Sequence, residues 1–217
     1  MKRWYITGTD TEIGKTRVSC QLLMALRQQG LSTAAFKPVA SGAIDAGAGL
    51  RNDDALQLIQ ASGSATAYND VNPWCFKEAV APHFLAAEAD VHIDPQKMAG
   101  IVSCEQSDVA VIEGVGGWLA PLGTSTTQAD MAATLGAGVI LVVGMRLGCI
   151  NHGLLSAERI VHDGIPLLGW VANQVDPGMS RLQDNINTLK ERLPVPLLAS
   201  IAWGEVQPEF NLESLID

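Results

Sequence analysis

Short apolar runs alternate with helix-length segments almost from end to end of this chain, and that rhythm limits its fold more than any other feature. Six runs read as strands: Trp4–Thr7, Thr33–Phe36, Val109–Ile112, Val139–Val143, Leu167–Ala172 and Pro196–Ile201. Strands that are apolar on both faces and separated by helices belong to a parallel sheet covered on each side. Helices are predicted over Thr16–Gln29 (stopped by Gly30), Asp53–Ala61, Pro95–Glu105, Asn151–His162 and Ser180–Arg192, with a Gly- and Ala-rich loop over Ser41–Leu50. The expected architecture is α/β, a doubly wound, mostly parallel sheet in three α/β/α layers. With 217 residues, 47% of them hydrophobic, a single domain over 1–217 is expected. Ligands of such folds gather outside the carboxyl ends of the strands, so the strand-to-helix turns are where chemistry is sought.

The first of these turns reads Gly8-Thr9-Asp10-Thr11-Glu12-Ile13-Gly14-Lys15-Thr16. A glycine-bounded loop between a strand and a helix, ending Gly-Lys-Thr, is a phosphate loop in its proper context and makes the expected fold P-loop NTPase-like. Backbone N–H groups and the helix start would face the phosphates, Lys15 would supply a point charge, and the Thr16 hydroxyl would reach Mg²⁺. Five residues separate Gly8 from Gly14, one more than the usual spacing. A carboxylate for the metal follows the strand Val109–Ile112, as Glu113 ahead of Gly114. Asp54 is a second candidate, although an acidic residue is also favoured in a first helical turn.

Charge and cysteine content narrow the function. Fourteen Lys and Arg against 23 Asp and Glu leave a formal charge of −9, without the basic stripe that nucleic-acid or anionic-membrane binding requires. Cys20, Cys75, Cys104 and Cys149 form no CxxC or CxxH pattern, so reduced thiols are expected and no zinc or iron–sulfur motif is present. No run approaches membrane-spanning length, and the N-terminus turns at once into a strand with no secretory signal pattern. A soluble cytoplasmic protein is expected.

Taken together the motifs resemble one family, the dethiobiotin synthetases. The resemblance runs through Gly8–Thr16, Lys37-Pro38-Val39-Ala40-Ser41-Gly42, Leu50-Arg51-Asn52-Asp53-Asp54-Ala55 and Ala81-Pro82-His83. It continues through Glu113-Gly114-Val115-Gly116-Gly117-Trp118, Leu147-Gly148-Cys149-Ile150-Asn151-His152 and Gly169–Asn173. It implies ATP-dependent carboxylation and ring closure of a diamino carboxylic acid, 7,8-diaminononanoate, with CO₂, giving dethiobiotin, ADP and phosphate. Lys15 and Lys37 would be the catalytic cations. Thr11, Glu12, Ile13, Gly14, Lys15, Thr16, Glu113, Gly116 and Asn173 would bind ATP, with Asn173 reading the base. Thr16, Asp54 and Glu113 would hold Mg²⁺. Thr11, Ser41, Pro82, Gly148, Cys149, Ile150 and Asn151 would bind the diamine, the last four reaching the site from the other subunit of a homodimer. Asn151 also fits a helix N-cap. The resemblance gives no catalytic role to His83, His92, His152 or His162.

Two positions depart from the family pattern. Arg146 stands where lysine is expected before Leu-Gly-x-Ile-Asn, and Ala202 replaces a proline before Trp203 in the nucleotide loop. A rival reading is a partitioning-type P-loop switch, but such proteins carry a lysine five positions before the P-loop lysine, and here that residue is Asp10. A cobyrinate-type amide synthetase would need a further amidotransferase domain. A paralogue that acts on another diamine keeps every motif above.

Overall fold

The computed structural model describes residues 1–47 and 49–216. Its elements run β1 (Lys2–Gly8), α1 (Lys15–Gln28), β2 (Thr33–Phe36), β3 (Val39–Ala40), β4 (Ile44–Asp45), β5 (Leu50–Arg51), α2 (Asp53–Ser62), α3 (Tyr68–Val71) and β6 (Trp74–Cys75). They continue with α4 (Pro82–Glu88), α5 (Pro95–Ser103), β7 (Val109–Gly117), α6 (Gln128–Thr134), β8 (Gly138–Met145), α7 (Cys149–His162), β9 (Leu167–Gln174), α8 (Leu182–Arg192), β10 (Leu197–Ile201) and α9 (Glu213–Ile216).

The main sheet has six strands in the order β10-β9-β8-β1-β7-β2, and every pairing is parallel. Each strand points alternate side chains to opposite faces, and here both faces are apolar. Trp4, Ile6, Val111, Ile140 and Val142 join Val18, Leu22 and Leu26 of α1 and Leu58 of α2 in one buried cluster. Tyr5, Ile112, Leu141, Val143 and Trp170 join Met98, Met131, Ile160 and Leu189 from α5, α6, α7 and α8 in the other. This is the three-layer arrangement read from the sequence.

β1 is central, between β7 and β8, and the winding direction changes around it. Its carboxyl end therefore opens into the crevice where such sheets take their ligands. The strand extends to Gly8, and β7 extends well past Ile112 to Gly117, so both strands carry their pairing into the functional turns.

The segment from Val39 to Glu88 is more structured than its composition suggests. The loop expected over Ser41–Leu50 contains all but Arg51 of a small antiparallel hairpin, Ile44↔Arg51 and Asp45↔Leu50, while Ala48 lies outside the described residues. A two-residue pairing of β3 with β6 stands beside it. Such short strands carry no readable alternation, which is why the sequence hides them. The first turn of α7 also differs from expectation. The helix begins at Cys149 after Gly148, whose φ of 97° is open to glycine, so Gly148 is the N-cap and Asn151 an exposed residue of the first turn.

Candidate active site

The phosphate loop closes over the start of α1. Gly14, the residue before the helix, has φ 80°, and a Cβ there would lie 2.3 Å from the Asn173 side-chain nitrogen. Only glycine fits both the conformation and the contact. α1 has neither a side-chain cap nor an acidic residue in its first turn. Its first N–H groups are thus left for an anion, the use to which phosphate loops put a helix start. α2 is the opposite case: the Asn52 side chain accepts from Ala55 N at 3.3 Å, and Asp53 and Asp54 occupy the first turn.

Four charged side chains and one hydroxyl meet at the mouth of this loop. Glu113 is fully buried, and its Oε1 accepts from Thr16 Oγ1 at 2.8 Å and from Lys37 Nζ at 2.5 Å. Lys37 Nζ also stands 3.2 Å from Asp54 Oδ2 and 3.3 Å from Gly114 O. Lys15 Nζ donates to Asp10 O at 2.9 Å. Burial works against the charge on Lys37, yet Glu113 and Asp54 outweigh it and hold the ammonium above the usual lysine range. For Lys15 the balance is reversed: burial, and then repulsion from Lys37, lower its pKa to about 8.

Glu113 Oε2 is buried without a hydrogen-bond partner. An orphaned carboxylate oxygen next to a threonine hydroxyl and a second carboxylate suits a hard, oxygen-seeking cation such as Mg²⁺. Among the described residues no group of three or more His, Cys, Asp or Glu could hold a metal. One or two carboxylates used jointly with phosphate oxygens is the Mg²⁺ pattern.

The cleft above these groups has a volume of about 670 Å³. Thr11, Glu12, Gly14, Lys15, Thr16, Lys37, Ser41, Asp54, Pro82, Glu113 and Gly116 all line it, so eleven of the sequence-derived candidates share one space. The remaining candidates lie elsewhere. Ile13 is 1% exposed, with its side chain packed in the core against Gly8 and Gly144, so only its backbone could meet a ligand. Asn173 is buried behind the loop, donating to Ile13 O at 2.7 Å and standing 3.5 Å from Arg17 Nη1. Gly148, Cys149, Ile150 and Asn151 are absent from the lining of this cleft. Buried Cys149 faces Asn185 Oδ1 at 3.7 Å, whereas Leu147 just before the helix is 95% exposed.

Sequence reasoning missed several contributors. Asn52 lines the cleft, caps α2 and donates to Ser41 O at 3.2 Å; an Asn before two acidic residues is a cap signature that could have exposed it. Ala79 and Val80, just ahead of the Ala81-Pro82-His83 segment, close one wall and Ala120-Pro121 another, with no pattern that marks them. Arg17 and Gln21, one and two turns into α1, both donate to Glu205 O, and Arg17 also donates to Ala202 O at 2.9 Å. The loop carrying Trp203 is thereby fastened to the helix that opens at the phosphate loop. Arg146, the departure noted above, pairs with Asp10 of that loop.

Comparison with known proteins places this geometry. Residues 2–207 match the model of an AAA-domain family. The chain is 51% identical over 204 residues to the ATP-dependent dethiobiotin synthetase BioD of Pseudomonas paraeruginosa, covering 93% of this chain and 90% of that one. It is 45% identical over 220 residues to the enzyme of the same name from Xylella fastidiosa, covering 99% and 95%. Among solved structures, the signal recognition particle receptor FtsY of Elizabethkingia anophelis superposes with a TM-score of 0.58 at 12% identity, over 96% of this chain and 60% of that one. Signal recognition particle 54 kDa protein from Aeropyrum pernix gives 0.59 at 13%, over 95% and 43%. Those two likenesses speak for the fold alone. With a phosphate loop, two lysines and two carboxylates at one cleft, and near-full-length identity of 45–51% to curated synthetases, the chain belongs to the ATP-dependent dethiobiotin synthetase family.

Proposed function

We propose that this chain, acting as one domain, uses ATP to close the ureido ring of dethiobiotin on 7,8-diaminononanoate with CO₂. The observation that carries the reading is that Lys15, Lys37 and the Glu113 carboxylate of β7 line a single cleft that also holds Thr11 and Ser41.

The reaction brings anions together. One amine of the substrate adds CO₂ and releases a proton, leaving a carbamate. A carbamate oxygen attacks the γ-phosphorus and ADP departs. The second amine attacks the carbamoyl carbon, a proton is lost, and phosphate leaves as the ring closes. Phosphoryl transfer of this kind depends on positioning and on stabilising negative charge. Lys15, rising from the first turn of α1, is suited to the β- and γ-phosphates together with the uncapped N–H groups behind it. Lys37, held between Glu113 and Asp54, offers an ammonium that can offset repulsion between carbamate and γ-phosphate. Thr11 and Ser41 offer hydroxyls to the carbamate and the diamine, and Pro82 supplies an apolar wall. Thr16, Asp54 and Glu113 would hold Mg²⁺, which when bound neutralises phosphate charge.

The location of Gly148–Asn151 outside the cleft, beside an exposed Leu147, supports a homodimer in which this segment serves the site of the partner copy. Four unpaired cysteines suit a reducing cytoplasm, and no helix among the described residues is long and apolar enough to cross a membrane. The partitioning-type switch has nothing in the relatives to favour it.

The test is ADP release by the purified protein with Mg-ATP and bicarbonate, with and without 7,8-diaminononanoate, while product mass is followed. Diamine-dependent release with a dethiobiotin mass is expected. Turnover indifferent to the diamine would sink the reading, and no turnover would point to a paralogue with another amine.

A further inference from the structure

Lys37 and Asp54 meet at 3.2 Å although they come from different elements, the end of β2 and the first turn of α2. Side-chain contact alone does not hold them there. The backbone of Lys37 is clamped from behind, where Lys37 N donates to Val71 O at 3.0 Å and Lys37 O accepts from Asn72 Nδ2 at 2.6 Å. Asn72 is buried, and its other side-chain atom, Oδ1, accepts from the Tyr68 hydroxyl at 3.0 Å. The same hydroxyl accepts from Asn52 N at 2.7 Å. Asn52 is the N-cap of α2, two residues before Asp54. The contacts therefore close a ring: Lys37 backbone, Asn72, Tyr68, Asn52, Asp54, and back to the Lys37 ammonium.

We infer that the Tyr68 hydroxyl is a positioning residue for the reaction, setting the separation of Lys37 and Asp54 through Asn72 and the cap of α2. Its chemistry suits the task, because one hydroxyl must donate to an amide oxygen and accept from a backbone N–H at once. Burial raises its pKa to about 12, so it stays protonated over the working pH range. The ring is steadied from its open side by Arg51, whose guanidinium carbon lies 4.1 Å from the Tyr68 ring centroid. Tyr68 itself is absent from the lining of the cleft and touches none of the groups placed at the phosphates. This role rests on the synthetase reading above.

The informative variant is Tyr68→Phe, which keeps the ring and its cation contact and removes only the oxygen. Turnover at saturating ATP, Mg²⁺, bicarbonate and diamine should fall by about tenfold to a hundredfold, the cost of misplacing a reacting arrangement by about an ångström. The KM for ATP should stay within about twofold, since the phosphate loop is untouched. The double variant Tyr68→Phe/Asp54→Asn should turn over no more slowly than Asp54→Asn alone, because that substitution already breaks the Lys37–Asp54 pair that the hydroxyl sets. A defect that adds to that of Asp54→Asn, or an unchanged kcat beside a lowered melting temperature, would reduce Tyr68 to a structural residue and overturn the proposal. A crystal structure of Tyr68→Phe gives the second measurement, in which the Lys37–Asp54 separation should open beyond 4 Å; an unchanged separation overturns the proposal whatever the activity. Wild-type protein without diamine-dependent ADP release would count against the synthetase reading, and the crystallographic distance would still test the ring.

Discussion

Lys15 and Lys37 line one cleft with the buried carboxylate of Glu113, but only Lys37 is bonded to it, and the two ammonium groups are not interchangeable. Replacing either by Ala should abolish turnover with the fold retained, checked by ADP release alongside circular dichroism; near-normal activity in either variant would contradict the proposed roles. Their electrostatics also differ. Lys15 has a pKa lowered to about 8, so its charged form predominates below that value and is lost as pH rises through it. Phosphates favour the charged form, so nucleotide binding at pH 8.5 should take up a proton. Calorimetric titration with ADP in buffers of different ionisation enthalpy reads this directly, and a buffer-independent enthalpy would rule it out. At this scale the sequence was most legible where chemistry is local: Gly14, Lys15, Thr16 and Glu113 follow from a spacing and a strand end. Asn173 was less so, because the side-chain amide that faces Ile13 O across 160 positions of sequence leaves no local trace.

Among the elements, α1 does two jobs, since one end presents amides to the cleft while its inner face fills the core. Leu22 is fully buried in the cluster with Trp4 and Ile6, whereas Met24 two residues on is 41% exposed. Leu22→Ala should destabilise the protein by about 2–5 kcal/mol, and Met24→Ala by less than about 0.5 kcal/mol. Denaturant unfolding of the two variants decides it, and equal midpoints would refute the assigned faces. The strands and long helices were readable because each carries enough residues for a period to show. The hairpin of β4 and β5, the pairing of β3 with β6, and the start of α7 were not. Two-residue strands have no period, and Gly148 caps through its backbone conformation, so a search for a polar cap side chain moved the helix start to Asn151.

For the whole molecule, the separation of Gly148–Asn151 from the cleft of the same chain turns the proposed homodimer into a measurable arrangement. Lys15→Ala damages a copy's own cleft, whereas Asn151→Ala should damage the cleft of its partner. Mixing the two inactive proteins under conditions that exchange subunits should leave each mixed dimer with one intact site, restoring about a quarter of wild-type activity by random pairing. No recovery, with exchange verified, would place Asn151 in its own chain's site or in none. The strand order carries a different consequence, one of timing. β1 pairs Ile6 with Glu113 on one side and Thr7 with Leu141 on the other, so the strand that leads into the phosphate loop is made first yet gains its second neighbour only with β8. During synthesis its apolar residues must wait for more than half the chain before both neighbours exist, and contacts so distant in sequence form slowly. The nucleotide site therefore cannot become whole until β8 has been made, and a growing chain has little means of binding ATP before then.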